Sequence, residues 1–258
     1  MDNSTSKTTD QEAKESRRPA SPRAMLDGQS PHERAAEKLR IALGWIGLFH
    51  YSTESLIKQV LGIKGGGLMS RLEQKRLVRP VPVYSISSQR VWILTPAGVI
   101  DASIATGRDL QYPHNPERIA GNFLKHNLLV QHSIIPFLPS ISRHVRGILP
   151  ARLLANGMWG EAIPDVFFGH EGTADGVLRT ALEIELTYKK EHELDAKFCI
   201  LKRMLSDDAS LRVQWLFPTP AMSSHYRKIW DAQRDDTLEH NPYQVSFDYD
   251  VRLSSTLV

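Results

Sequence analysis

The sequence has 258 residues, with 32 Lys and Arg against 29 Asp and Glu, and 41% of it is hydrophobic; it fits one or two folded domains and excludes collagen-like and wholly disordered chains. Its single Cys199 has no partner for a disulfide or a thiolate zinc cluster, which excludes disulfide redox chemistry and Cys-based zinc fingers. It contains no run of about 18 uncharged apolar residues, and residues 1–30 lack a signal-peptide core, so a cytoplasmic protein without membrane insertion is expected.

Residues 1–30 are rich in Ser, Thr, Lys, Asp and Pro and read as a flexible arm that cannot bury enough apolar surface to order itself. From Pro31 the pattern becomes helical: Ala35, Leu39, Leu43 and Ile46 mark a first helix ending near Gly47. Thr53 is an N-cap for a short second helix stopped by Gly62, and a third runs from about Leu68 to Arg76 after Gly65-Gly66-Gly67. The period then switches to two: Val78 to Ser85 and Gln89 to Leu94 are expected to pair as a hairpin. Thr95-Pro96 opens a fourth helix through Ile104.

Three helices, a hairpin and a closing helix are the order of a winged helix-turn-helix, expected over residues 31–112. In that fold the third helix enters the major groove. Leu68, Met69 and Leu72 would face inward, leaving Ser70, Arg71, Gln74 and Lys75 outside. Arg and Gln side chains can read base edges bidentately, whereas Lys75, Arg76 and, from the wing, Arg90 suit phosphates. Residues 31–112 carry eleven basic and six acidic side chains, against sixteen and eighteen in residues 113–258. An excess of basic residues suits a polyanion, but it suits a solvated surface or a protein contact as well.

After Tyr112-Pro113 and Asn115-Pro116, residues 117–134 read as a helix with Ile119, Phe123, His126 and Val130 along one face. His126 there is a core histidine or an accessory site residue. Downstream the expected order is strand (Ala151 to Ala155), strand (Ala162 to His170), turn (Gly172 to Gly176), strand (Leu178 to Tyr188), helix (Glu191 to Leu205), strand (Leu211 to Phe217) and helix (Ser223 to Asp235). The fold class is therefore α/β (α+β), with helices flanking a mixed sheet.

Asp165 follows Pro164 in an apolar run, and eighteen residues later comes Leu182-Glu183-Ile184-Glu185-Leu186-Thr187-Tyr188-Lys189. In a strand, Glu183, Glu185, Thr187 and Lys189 share one face. Three clustered carboxylates repel one another unless a cation joins them, and hard oxygen ligands favour Mg²⁺ or Mn²⁺. With Lys189 to orient water or offset charge, the set suits phosphodiester cleavage. The competing reading is an amphipathic edge strand whose Glu, Glu, Thr and Lys simply face water.

At these residues the sequence resembles the PD-(D/E)xK nuclease superfamily, with Pro164-Asp165 as the first half and Glu183-Ile184-Glu185 as the second. Glu185 stands where a lysine is usual. That departure is shared by MobC-type plasmid mobilization relaxases and the wider replication-relaxation proteins, whose pattern of Asp, Glu-x-Glu and Lys is matched by Asp165, Glu183, Glu185 and Lys189. The similarity covers residues 31–235.

The resemblance implies a winged helix followed by a restriction-endonuclease-like core over residues 113–258. It also implies a site- and strand-specific endonuclease that nicks plasmid DNA at the origin of transfer with Mg²⁺ or Mn²⁺. Asp165, Glu183 and Glu185 would be the metal ligands and Lys189 a further catalytic residue, with a relaxosome accessory protein and a coupling protein as partners. A second function stays open: a non-catalytic DNA-binding replication or mobilization regulator with a degenerate core. Tyr51 and Tyr188 can be imagined as nucleophiles, and no sequence feature selects either.

Overall fold

In a computed structural model the described residues are 30–83, 90–112, 121–138, 145–153, 163–173, 176–233, 244–250 and 253. Among them are seven α-helices and eight strands, the strands arranged in a three-stranded and a five-stranded sheet, an α+β architecture. The chain divides into two compact units, residues 1–40 and 41–258. In the first, the backbone amide of Ser30 donates to the Glu33 carboxylate at 2.6 Å while the Glu33 amide donates to the Ser30 hydroxyl at 3.2 Å, a reciprocal cap on the start of α1 (Pro31–Phe49).

Within the second unit, α1 continues beyond the expected stop at Gly47. Gly47 is a site of close packing, since a Cβ there would stand 2.8 Å from Ala102 and 2.7 Å from Leu110. The left-handed residue that ends this stretch is His50, at φ 71°. β1 (Tyr51–Ser52) follows, unanticipated because two residues carry no periodicity, and then α2 (Glu54–Val60), capped by the Thr53 side chain.

α3 (Leu68–Gln74) ends two residues earlier than expected, because Arg76 adopts φ 57° and the Leu77 amide returns to the Leu72 carbonyl. β2 (Val78–Pro82) and β3 (Arg90–Leu94) pair antiparallel with β1 on the far side, in the order β1-β3-β2. β2 ends at Pro82, short of the expected Ser85, and residues 84–89, Gln89 included, lie outside the described residues. The Thr95 hydroxyl donates to the Arg76 carbonyl at 2.6 Å and accepts from the Gly98 amide at 3.1 Å, tying α4 (Pro96–Thr106) to the end of α3.

α5 (Gly121–Ile134) joins the two sheets. Its Leu124 and Leu128 pack on Tyr51, Val81, Val91 and Ile93 of the first sheet, each full burial of such a side chain giving about 1.5–3 kcal/mol. Buried Gln131 accepts from the Trp45 indole at 2.9 Å and donates to the Tyr51 carbonyl at 2.9 Å, so its polarity is matched. Phe123, expected on the buried stripe, is 74% exposed, because Leu124 takes the inward position. Ile119 and the rest of 113–120 lie outside the described residues.

The second sheet has the order β4-β5-β6-β7-β8. β4 is Ile148–Pro150, and Ala151–Leu153 is a 3₁₀ turn rather than the expected strand. β5 (Val166–Thr173) and β6 (Gly176–Ile184) pair antiparallel, with the turn at 174–175 outside the described residues. α6 (Glu191–Asp207) crosses to β7 (Leu211–Phe217), which is parallel to β6. α7 (Pro220–Ala232), capped by Thr219 and starting three residues before the expected Ser223, leads to β8 (Val245–Tyr249), which the sequence reading lacked. Phe198 of α6 stands edge-on to Trp215 at 5.5 Å and to Trp230 of α7 at 5.0 Å, so both helices close on one face of the sheet.

Candidate functional site

β6 is the middle strand of its sheet, and that position decides the character of its acids. Glu183 and Glu185 are 4% and 5% exposed, so the solvated-edge reading fails. Asp165 does not sit inside the neighbouring strand but just before it, where its carbonyl accepts from the Ala151 amide at 2.9 Å. From there its carboxylate accepts from the Ile184 amide at 2.8 Å, while its own amide lies 3.3 Å from the Glu183 carboxylate that accepts it. Two backbone donors thus hold Asp165 and Glu183 beside one another.

The expected row Glu183, Glu185, Thr187, Lys189 is interrupted. The strand ends at Ile184, although the Glu185 amide still reaches the Leu216 carbonyl at 3.0 Å. The chain then turns: the Tyr226 hydroxyl accepts from the Lys189 amide and donates to the Thr187 carbonyl, both at 3.1 Å. Thr187 is exposed, and Lys189 folds back until Nζ is 2.6 Å from Glu185 Oε2. Burial opposes its charge, but Glu185 first, then Glu183 and Asp165, raise the Lys189 pKa.

A second lysine enters from α6. Lys197, 8% exposed, forms an ion pair with Glu183 and lies 5.3 Å from the Trp215 ring centre. Sequence reasoning missed it. The available signal was a lone lysine in the apolar stripe Leu194, Phe198, Leu201 at helical spacing. Even with it, burial and the Asp165 charge push the Glu183 carboxyl up to about 7, against the pull of Lys197 and Lys189.

His126 belongs to the same cluster. Its Nε2 is 3.0 Å from the Ile184 carbonyl and 3.3 Å from Asp165 Oδ2; since a carbonyl only accepts, that nitrogen carries hydrogen. Burial works against the imidazolium, but the Asp165 hydrogen bond and charge, the Ile184 carbonyl and Glu183 raise its pKa to about 9. Each acid therefore has a cationic neighbour: His126 for Asp165, Lys197 for Glu183, Lys189 for Glu185.

Among the described residues, no three His, Cys, Asp or Glu side chains converge closely enough to enclose a metal ion. The donor chemistry nevertheless fits a hard dication. All three acids offer oxygen, and Glu185 Oε2 is buried with the Lys189 ammonium 2.6 Å away. A bound ion would supply charge that the lysines supply here.

Beside Asp165 opens a cleft of roughly 160 Å³, walled by Phe49, Phe123 and Val130 on its apolar side and by His126, Arg152 and Asp165 on its polar side. Tyr51, buried, donates its hydroxyl to the Phe123 carbonyl at 3.2 Å, and burial raises its pKa to about 12, a poor nucleophile. Tyr188 is exposed, edge-on to His225.

On the first sheet's side, α3 buries Leu68, Met69 and Leu72 and exposes Ser70, Arg71, Gln74 and Lys75; Arg76 and, on β3, Arg90 are exposed too. Arg71 Nε donates to the Gly67 carbonyl at 3.3 Å. No helix among the described residues is long and apolar enough to cross a membrane. No protein-family model, curated protein or solved structure matches the chain.

Proposed function

We propose that the chain is a plasmid mobilization relaxase, a metal-dependent, site- and strand-specific DNA endonuclease that nicks the origin of transfer. One observation carries this reading: Glu183, near the end of the central strand of a mixed sheet, and Glu185, just past that end, are both buried, with Asp165 bonded to the strand's last residue and lysines facing the acids. Desolvating a charge costs several kcal/mol per ion, which pairing repays only in part unless the geometry is excellent, so a cluster kept at the end of a central strand points to chemistry rather than stability. The three-stranded sheet with α1, α3 and α4 supports a winged helix that docks α3 in the major groove of plasmid DNA, while the C-terminal half serves as the PD-(D/E)xK nuclease-like core.

Asp165, Glu183 and Glu185 would hold Mg²⁺ or Mn²⁺. When bound, the ion polarises the scissile phosphate and acidifies its bound water. The chain's own cations would do the remaining work: Lys189 and Lys197, paired with Glu185 and Glu183, would offset charge on the phosphoryl oxygens, and His126 holds Asp165 in place. A relaxosome accessory protein and a coupling protein in the cytoplasm complete the proposal.

A regulator without nuclease activity remains the second reading. The ion pairing of every acid favours it, since charge-balanced carboxylates need no metal. Supercoiled plasmid carrying the origin separates the two. Nicked circles in Mg²⁺ or Mn²⁺, abolished by chelator and by Asp165→Ala, support the relaxase; uncut plasmid under all conditions leaves the regulator.

A further inference from the structure

We propose that the cleft beside Asp165 is a subsite for one unstacked nucleotide of a DNA strand, with Phe123 as the stacking surface for its base and Arg152 as the partner of its phosphate. This rests on the reading of the acid cluster as a DNA-cleaving centre, and it adds a strand-holding site next to that centre.

Phe123 is the first observation. The Phe123 ring is 74% exposed although Leu124 beside it is buried, and its backbone is anchored, because its carbonyl accepts from the Tyr51 hydroxyl. An exposed aromatic ring on an anchored backbone suits base stacking, which tolerates any base. The cleft it borders is lined also by Phe49 and Val130, which add apolar surface.

Arg152 is the second. Its Nε and Nη2 donate to the Leu48 and Gly47 carbonyls at the end of α1, so the guanidinium is held in place on the cleft wall. No acid among the described residues contributes to its charge balance, and burial alone lowers its pKa to about 10, leaving it charged at neutral pH. A half-buried guanidinium with no carboxylate beside it among the described residues can meet a phosphate with its remaining N–H groups. The one acid lining the cleft, Asp165, is already met by His126, so its repulsion of a phosphate is blunted.

The spacing of roles follows. A nucleotide seated there places the neighbouring phosphodiester at Asp165, beside Glu183, without needing duplex geometry.

The test uses the full chain with chelator present, so that cleavage plays no part. Binding of a fluorescein-labelled oligothymidylate is compared with that of the same oligomer lacking its bases. Wild type should prefer the intact oligomer roughly tenfold, and Phe123→Ala should erase that preference while leaving cognate duplex binding unchanged. Phe123→Trp should restore it. Arg152→Gln should weaken both oligomers equally, with its thermal midpoint measured alongside because Arg152 also caps α1. The Phe123 series decides the matter if that variant fails to fold. An unchanged preference in Phe123→Ala overturns the subsite. Nicking by wild type with no Phe123 dependence in oligomer binding leaves the nuclease and removes the subsite. Phe123-dependent binding without nicking does the reverse.

Discussion

Lys197 and Glu183 form an ion pair almost sealed from water, at 8% and 4% exposure. Removing one member of such a pair costs far more than removing both, because the survivor is left charged without a partner. Lys197→Met should therefore lose about 3 kcal/mol in urea unfolding at pH 8, whereas Lys197→Met with Glu183→Gln should return to within about 1 kcal/mol of wild type. The loss should shrink at pH 6, since a carboxyl already raised to about 7 takes up a proton once its lysine is gone. Additive single and double effects would show that the pair is not coupled.

Local chemistry made much of this fold legible. Thr53 and the Thr95-Pro96 pair announced helix starts because a side-chain oxygen next to its own helix is enough to fix one. The acids Glu183 and Glu185 were likewise legible, although the strand ends between them at Ile184. What followed was not: the strand's end depends on Tyr226, 37 residues from Lys189, whose hydroxyl bridges Lys189 and Thr187. Asp165 and His126, Glu183 and Lys197 meet across separate elements, and no sequence period encodes such distances. Phe123 was misplaced for a subtler reason: one step along a helix turns the side chain about 100°, and Leu124 competes for the same face.

The His126 and Asp165 contact has a defined pH signature in metal-free buffer. A folded-state pKa of about 9 lies above the ordinary histidine value of about 6.5, so protonated His126 stabilises the fold fully below that value. The contribution is lost as pH rises through 9. The side chain is 31% exposed, which screens the gain to about 2 kcal/mol. The stability difference between wild type and His126→Gln should be largest at pH 6 and close to nil at pH 10, where both proteins remain folded enough to measure. A difference independent of pH would remove the imidazolium from the account.

On α3, Arg71 and Lys75 are both exposed, so substitution tests DNA contact without disturbing the buried Leu68, Met69 and Leu72. Arg71→Ala should weaken cognate duplex binding by about 1–3 kcal/mol while leaving random DNA little changed. Lys75→Ala should weaken both alike and flatten the salt dependence by about one charge. Thermal midpoints should stay near wild type. Unaltered binding by the double variant at fixed salt would move the DNA contact off this helix.

Lys189 separates the relaxase from the regulator. Its ammonium is held at Glu185 by the turn that Tyr226 pins, with its side chain still 36% exposed, so it can meet a phosphate arriving from solvent. In the proposed relaxase Lys189→Ala should lower the nicking rate at least a hundredfold, about 2.7 kcal/mol of barrier, with DNA affinity nearly unchanged, because there its charge would act on the reacting phosphoryl group. Lys189→Arg should recover little, since the planar guanidinium cannot occupy the compact ammonium's place beside Glu185. The adjacent Lys190 is exposed and its amide donates to Glu193 at the start of α6, so Lys190→Ala should nick at the wild-type rate. Lys197→Ala provides the contrast: it should lose nicking and stability together, as a buried cation does. If Lys189→Ala and the Lys189→Ala, Lys190→Ala double variant nick normally, neither lysine takes part, and Lys197 becomes the only candidate cation of the three. If wild type never nicks and no lysine variant changes DNA binding, the acid cluster belongs to a regulator.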